Sequence, residues 1–188
     1  MIVKRSAKLL FGIFTAVLAL DILSKWTVNT FLPMMERYLL PYPYGGLAVF
    51  QNFFGINFSI NHQINTGAAW GIFPNSLHTL FYVRIVIISS LLIYTLFFNQ
   101  NSKSQIPFIF IITGAVGNVL DTIFYGHVID FLFVQLWGYD FPVFNIADSF
   151  IFMGVVWLCL INLRNEKKTT FRNSAPDNDG FNSPSSEN

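Results

Sequence analysis

The sequence predicts an all-α membrane protein: a four-transmembrane-helix bundle carrying a small extracytoplasmic loop domain that contains β-structure. Three observations lead there. Charged residues make up 11% of the 188 positions and hydrophobic residues 53%, whereas a soluble domain carries about 25% charged residues. Four apolar runs approach the roughly 20 residues that a helix needs to cross a bilayer. Lys and Arg gather on alternate flanks of those runs, as the positive-inside rule requires.

The first run, Leu9 to Val28, follows Lys4, Arg5 and Lys8. A cleavable signal peptide begins in the same way. Here the run continues into Asp21-Ile22-Leu23-Ser24-Lys25-Trp26 with no small-residue cleavage site, so it reads as an uncleaved first helix. Residues 29–76 form the long outer loop. Within it Pro41-Tyr42-Pro43-Tyr44-Gly45-Gly46 is turn-rich and aromatic, suited to the headgroup level, and Ile56–Asn61 alternates apolar and polar with the period of a half-buried strand. The second run, 77–98, opens after Pro74-Asn75-Ser76 and closes at Asn99-Gln100-Asn101. The third starts at Pro107, a favourable first-turn residue, and reaches Tyr125. The fourth runs from Phe144, after Pro142, to Leu163. Residues 1–164 are thus expected to form the membrane unit, and the polar stretch 165–188 a disordered cytoplasmic tail.

Lys4, Arg5, Lys8, Lys103, Arg164, Lys167, Lys168 and Arg172 fall on one side; the opposite loops, 29–76 and 126–143, contain only Arg37. Both termini are therefore expected in the cytoplasm. A net charge of +1 with no basic stripe argues against nucleic acid. Cys159 stands alone, His62, His78 and His127 lack metal-ligand spacing, and no glycine-rich phosphate cradle occurs. No cofactor or metal is expected.

Chemistry must then come from ionisable residues in or beside the spans, where each costs about 2.5–3.5 kcal/mol and needs a partner or a cavity. Asp21 and Lys25 lie one helical turn apart and can pair; a helix-end salt bridge with a snorkelling lysine explains them equally well. Gly114, Asn118 and Asp121 share one face of the third helix, either as a polar packing seam or as part of a site. Asn145-Ile146-Ala147-Asp148 reads as a capping box opening the fourth helix, and it also sets a carboxylate at the positive end of a helix dipole. Asp130, between Ile129 and Phe131, has no capping explanation. The third and fourth helices are antiparallel and joined by a short loop, so Asp130 and Asp148 can meet at one depth. Two adjacent carboxylates share a proton, which leaves one as acid and one as base.

Four blocks in order carry a resemblance: Asp21-x-x-x-Lys25; Asn65-Thr66-Gly67-Ala68-Ala69-Trp70-Gly71; Gly114-x-x-Gly117-Asn118-x-x-Asp121 continuing to Gly126-x-Val128-x-Asp130-Phe131; and Phe144-Asn145-x-Ala147-Asp148-Ser149. Over Leu9–Leu163 the chain resembles the lipoprotein signal peptidases, the type II signal peptidases of bacterial inner membranes. The resemblance implies an aspartic endopeptidase with Asp130 and Asp148 as the catalytic pair. It also implies that Asp21, Lys25, Asn65, Gly67, Ala69, Asn118, Asp121, Asn145 and Ala147 shape or support the site. The implied partners are membrane lipids and prolipoproteins already bearing diacylglycerol on the lipobox cysteine, cut just before that cysteine by a monomeric enzyme. The family usually has Arg after the third-helix Asp; Thr122 stands there, and Arg84 is the expected substitute partner for Asp121. Trp70 replaces a more usual Phe, and the stretch Leu39–Ala48 is longer than the family needs.

Three other readings compete. A Ser24–Lys25 protease fails because consecutive helical residues do not face each other. A proton-coupled carrier needs charges near mid-bilayer and broken helices. A non-catalytic scaffold would use Asn118 and Asn145 only as interhelical glue.

Overall fold

All four apolar runs form helices long and apolar enough to cross a membrane, over Ala7–Phe31, Thr79–Phe98, Gln105–Tyr125 and Ile146–Glu166. The protein is a multi-pass membrane protein. The computed structural model describes residues 6–34, 46–67, 77–99 and 101–173. Its helices are α1 (Ala7–Phe31), α2 (Leu77–Ile93, continued by a π-helical turn Tyr94–Phe98), α3 (Gln105–Tyr125) and α4 (Ile146–Asn173).

Helix α3 is central, packing on α1, α2 and α4. Half of its apolar stretch (50%) is buried inside the protein, against 11% in α1 and α4 and 0% in α2, whose surfaces are left for lipid. Two glycines permit this crowding. A Cβ at Gly114 would run into the Ala147 carbonyl oxygen of α4, and one at Gly117 would lie 2.5 Å from Asp21 Oδ2 of α1. Small residues at helix contacts let backbones approach where no hydrophobic effect draws helices together.

Strands β1 (Leu47–Phe53), β2 (Ile56–Asn65), β3 (Val128–Leu136) and β4 (Tyr139–Asp140) form one antiparallel sheet in that order. Residues from the α1–α2 loop and the α3–α4 loop therefore build it. "All-α" is too narrow a description, and the loop between α3 and α4 is not merely short: it supplies half of the strands. Val128–Leu136 is almost continuously apolar, so the period-two signal of a strand is hidden there. A register shift between Ile60 and Gln63 bends β2 where it meets the helices. Buried Val28 of α1 with Ile129 and Phe131 of β3 fastens the sheet to the bundle, with Leu32, Ile60, Tyr125, Leu132 and Ile146 packed around them. Asp130 lies between two members of that cluster.

Helix α4 also continues to Asn173, past the expected end at Leu163. Glu166, Lys167 and Lys168 are good helix formers and carry the helix beyond its apolar part. The remainder of the expected tail, 174–188, lies outside the described residues, as do 35–45 and 68–76.

Candidate active site

Two turns of chain bring the acids together. Gly126 ends α3 in the left-handed conformation at φ 75°, open to glycine at no steric cost, and directs the chain into β3 with Asp130 two residues past its start. At the other end of the loop Asn145 caps α4. The Asp148 backbone N–H donates to Asn145 Oδ1 at 2.9 Å, and the Asn145 N–H returns to Asp148 Oδ2 at 3.4 Å. This is the reciprocal capping box read from the spacing.

Asn145 does more than cap. Its Nδ2 donates to Asp130 Oδ1 at 2.7 Å, with longer contacts to Asn118 Oδ1 (3.1 Å) and the Ile129 carbonyl (3.3 Å). Asn65 Nδ2 holds the other Asp130 oxygen at 2.8 Å, while its own Oδ1 accepts the Gly67 N–H at 3.0 Å. Asn118 Nδ2 donates to Asp148 Oδ1 at 2.8 Å. Each carboxylate thus has both oxygens accepting hydrogen bonds, and Asn145 serves both. Asp130 is 3% exposed, whereas Asp148 is half-buried at the helix start. Burial first, and the neighbouring Asp148 charge second, push the Asp130 carboxyl up to about 7, against the lowering effect of its two asparagine donors.

Beneath this pair lies an ion cluster. Lys25 Nζ, fully buried, sits 2.8 Å from Asp21 Oδ2 and 2.8 Å from Asp121 Oδ2, and donates to Asn118 Oδ1 at 3.0 Å. The free Asp21 oxygen accepts the Ala147 N–H of α4 at 2.9 Å, and Asp121 accepts the Ile129 N–H at 3.2 Å. One lysine therefore ties α1 to α3, and its two carboxylates reach the start of α4 and the strand that carries Asp130. The charge partner of Asp121 is Lys25, which corrects the expectation that Arg84 fills that place. Within-helix spacing pairs Lys25 only with Asp21; the contact to Asp121 depends on the packing of α1 on α3. Thr122, where an arginine was expected, turns its hydroxyl back to the Asn118 carbonyl at 3.0 Å.

The described structure brings Asp21, Lys25, Asn65, Gly67, Asn118, Asp121, Asp130, Asn145, Ala147 and Asp148 into one connected assembly. Ala147 has no exposed surface and lies against the Gly117 position of α3. Ala69 and Trp70 lie outside the described residues. Missing from the sequence-based set is Ile129, whose backbone N–H serves Asp121; that Ala147, which is in the set, acts through its N–H is likewise announced by no side-chain pattern. Among the described residues no group of three or more His, Cys, Asp or Glu side chains is placed to hold a metal ion. Chemically the assembly offers a buried carboxyl pushed up to about 7 beside a second carboxylate that reaches the surface, both held by asparagine donors.

Residues 13–164 match the family model described as signal peptidase (SPase) II. The lipoprotein signal peptidase of Chlamydia pneumoniae is 43% identical over 105 residues, which cover 54% of this chain and 62% of that protein. The lipoprotein signal peptidase of Staphylococcus aureus (strain JH9) is 36% identical over 107 residues, 56% of this chain and 66% of that one. The aligned stretch is in each case under two thirds of the relative's length. Among solved structures, a bacterial membrane enzyme determined by the in meso method at 2.3 Å superposes with a TM-score of 0.76 at 28% identity, covering 89% of this chain and 95% of that one. A second, at 1.9 Å, gives 0.69 at 27% identity over 87% and 97%. The family match extends from within α1 into the far part of α4 and takes in both carboxylate pairs; the chain belongs to the signal peptidase II family.

Proposed function

We propose that this protein is an aspartic endopeptidase that removes the signal peptide from diacylglyceryl-modified prolipoproteins, cutting just before the lipidated cysteine. The observation that carries the reading is the pair of carboxylates from β3 and α4 bridged by Asn145. Family membership selects the substrate class.

In the proposed reaction the shared proton rests on buried Asp130, and Asp148 is the base. Asp148 takes a proton from water as its oxygen bonds to the scissile carbonyl carbon, and the Asp130 proton passes to the carbonyl oxygen. Collapse of the tetrahedral intermediate breaks the C–N bond. The leaving cysteine amine takes the proton held by Asp148, and Asp130 recovers its proton from the intermediate's hydroxyl. General acid–base steps of this kind contribute about 10²–10⁴-fold each. Asn65 and Asn145 hold Asp130 in place, Asn118 holds Asp148, and the Asp21–Lys25–Asp121 cluster fixes the elements bearing them. Gly67 and Ala69 would let substrate backbone approach closely.

The Lys and Arg distribution supports a bacterial inner-membrane location with both termini cytoplasmic and the site near the periplasmic face. A membrane unit over 1–164, acting as a monomer, completes the proposal. Purified protein incubated with lipid-modified precursor should release the signal peptide with nothing added, and a precursor lacking the diacylglyceryl group should remain intact. Cleavage that persists in Asp130→Asn or in Asp148→Asn would refute the assignment of that residue.

A further inference from the structure

Asn65, one of the two side chains that donate to Asp130, stands on the right side of its strand only because β2 carries one residue more than β3 needs. Pairing runs from Ile60 with Leu132 to Gln63 with Asp130, so Asn61 and His62 together stand against the single residue Phe131. Paired residues share a face of the sheet and successive residues alternate. Continued from Ile60 and Leu132 without a shift, the ladder would pair Asp130 with His62 and Asn65 with His127. His127 is three residues before Asp130, so Asn65 would lie on the opposite face. The bulge instead pairs Asn65 with Val128, on the Asp130 face, and Asn65 Nδ2 reaches Asp130 Oδ2 at 2.8 Å. Bulges beside functional sites re-aim side chains in this way.

A bulge interrupts the ladder and needs another hold. Asn61 keeps the alternation of β2: its Oδ1 accepts the Ser59 hydroxyl at 2.9 Å, and both residues are buried. His62 is then the additional residue. Its Nδ1 lies 2.9 Å from the carbonyl oxygen of Leu32, just past the end of α1, where carbonyls find no partner within the helix. A carbonyl only accepts, so Nδ1 carries the hydrogen. The ring is 4% exposed, and its Nε2 is buried with no hydrogen-bond partner among the described residues. The imidazole therefore has one polar task, a bond from the extra residue of β2 to the end of α1. That end is itself fixed, because Val28 packs on Ile129 and Phe131, the two neighbours of Asp130.

We infer that His62 is a positioning residue: its bond to the Leu32 carbonyl fixes the bulge in β2, and the bulge delivers Asn65 to Asp130. The effect on cleavage rests on the peptidase reading; the effect on strand register does not.

The test compares His62→Leu, His62→Gln and His62→Asn in the full chain. Asn carries an N–H where the imidazole carries Nδ1–H, Gln carries one nearer the Nε2 position, and Leu has none. On a lipidated precursor, His62→Leu and His62→Gln should lose about 10²-fold in kcat, the scale of a misplacement of about 1 Å, with KM within about twofold of wild type. His62→Asn should retain most of the wild-type rate. With Asn65 displaced, Asp130 loses a donor to its charged form, while Asp148 and Lys25, the charged groups acting on it, remain. The residual activity of His62→Leu should therefore persist further above about pH 7 than that of wild type.

A second measurement reads the register without cleavage. Directly paired residues lie within disulfide reach, whereas a residue one place along points to the other face. In a Cys159→Ser background, Ile64→Cys with Ile129→Cys should oxidise to a disulfide, and Ile64→Cys with Val128→Cys should not. Adding His62→Leu should weaken the first and admit the second; adding His62→Asn should do neither. A wild-type rate or a wild-type disulfide pattern in His62→Leu would overturn the inference, as would a loss that His62→Asn does not rescue. Failure of the wild-type protein itself to cleave would count against the peptidase reading instead, and the disulfide pattern would then decide the inference alone.

Discussion

Two pairs of carboxylates in this molecule are each bridged by a single residue, and they differ in what that residue is. Asp21 and Asp121 flank Lys25, each 2.8 Å from its ammonium. Asp130 and Asp148 flank Asn145, whose side-chain amide and backbone N–H reach one oxygen of each at 2.7 and 3.4 Å. A lysine supplies a full positive charge and offsets part of the cost of burying two anions. A carboxamide supplies hydrogen bonds and no net charge, so the second pair is stable chiefly when it keeps a proton. The same residue type thus performs two tasks. The compensated pair ties helices together, and the uncompensated pair is the one proposed to carry the proton chemistry.

The largest expected effect follows from the uncompensated pair. Asp130→Asn and Asp148→Asn should each lower signal-peptide release by about 10²–10⁴-fold or more, measured on a lipidated precursor, with thermal unfolding at the acid end of the range, about pH 4, near that of wild type. Asn reproduces the shape of a protonated carboxyl, and the cost to folding is limited to one acceptor exchanged for an amide donor, about 1–3 kcal/mol. Either variant that unfolds early instead would make this pair a structural element like the other.

Lys25→Met should act in the opposite sense. Removing one partner of a buried ion cluster leaves uncompensated charge and costs about 3–5 kcal/mol. The expected result is a markedly lower unfolding temperature in detergent, with loss of activity following from loss of structure. Combining it with Asp21→Asn and Asp121→Asn should recover much of the stability, because the stranded charges go too. A Lys25→Met protein as stable as wild type would erase the distinction between the pairs.

A change of pH separates them without mutation. The Asp130 carboxyl is raised from an ordinary value of 3.8 to about 7 in the folded protein. The folded state therefore binds the proton more tightly than the unfolded chain does, and this contribution to stability is complete below about 3.8 and is lost as pH rises through about 7. Cleavage should decline across the same upper limit as the shared proton departs. Asp130→Asn lacks that titration, so its stability relative to wild type should grow between pH 4 and pH 8, by at most about 1.4 kcal/mol per unit. Parallel unfolding curves for the two proteins over that range would contradict the raised value.

These contrasts were only partly legible in the sequence. Asp148 and Asn145 were readable because a capping box has fixed local spacing, and Asp130 because no local rule explained a carboxylate between Ile129 and Phe131. Strand β2 showed its alternation at Ile56–Asn61. Strand β3 did not, since apolar residues on both of its sides removed the period, and with it went the sheet that joins the two loops. The bond from Lys25 to Asp121 was hidden for a different reason. Spacing along one helix reports neighbours three and four residues away, whereas this contact depends on how closely α1 approaches α3, which Gly117 sets through the space left for Asp21.

The smallest expected effect tests that last point. If Lys25 is the cation that compensates Asp121, then Arg84, half-buried on α2, is dispensable to the cluster. Arg84→Gln should alter stability by no more than about 0.5 kcal/mol, the range of ordinary substitutions away from buried networks, and release of signal peptide should stay within about twofold of wild type, the same energy read as a rate. The comparison that matters is with Lys25→Met measured in the same detergent. A loss in Arg84→Gln approaching that of Lys25→Met would mean that the Asp121 carboxylate draws on a second cation, and the contrast between a pair held by one lysine and a pair held by one asparagine would no longer describe this molecule.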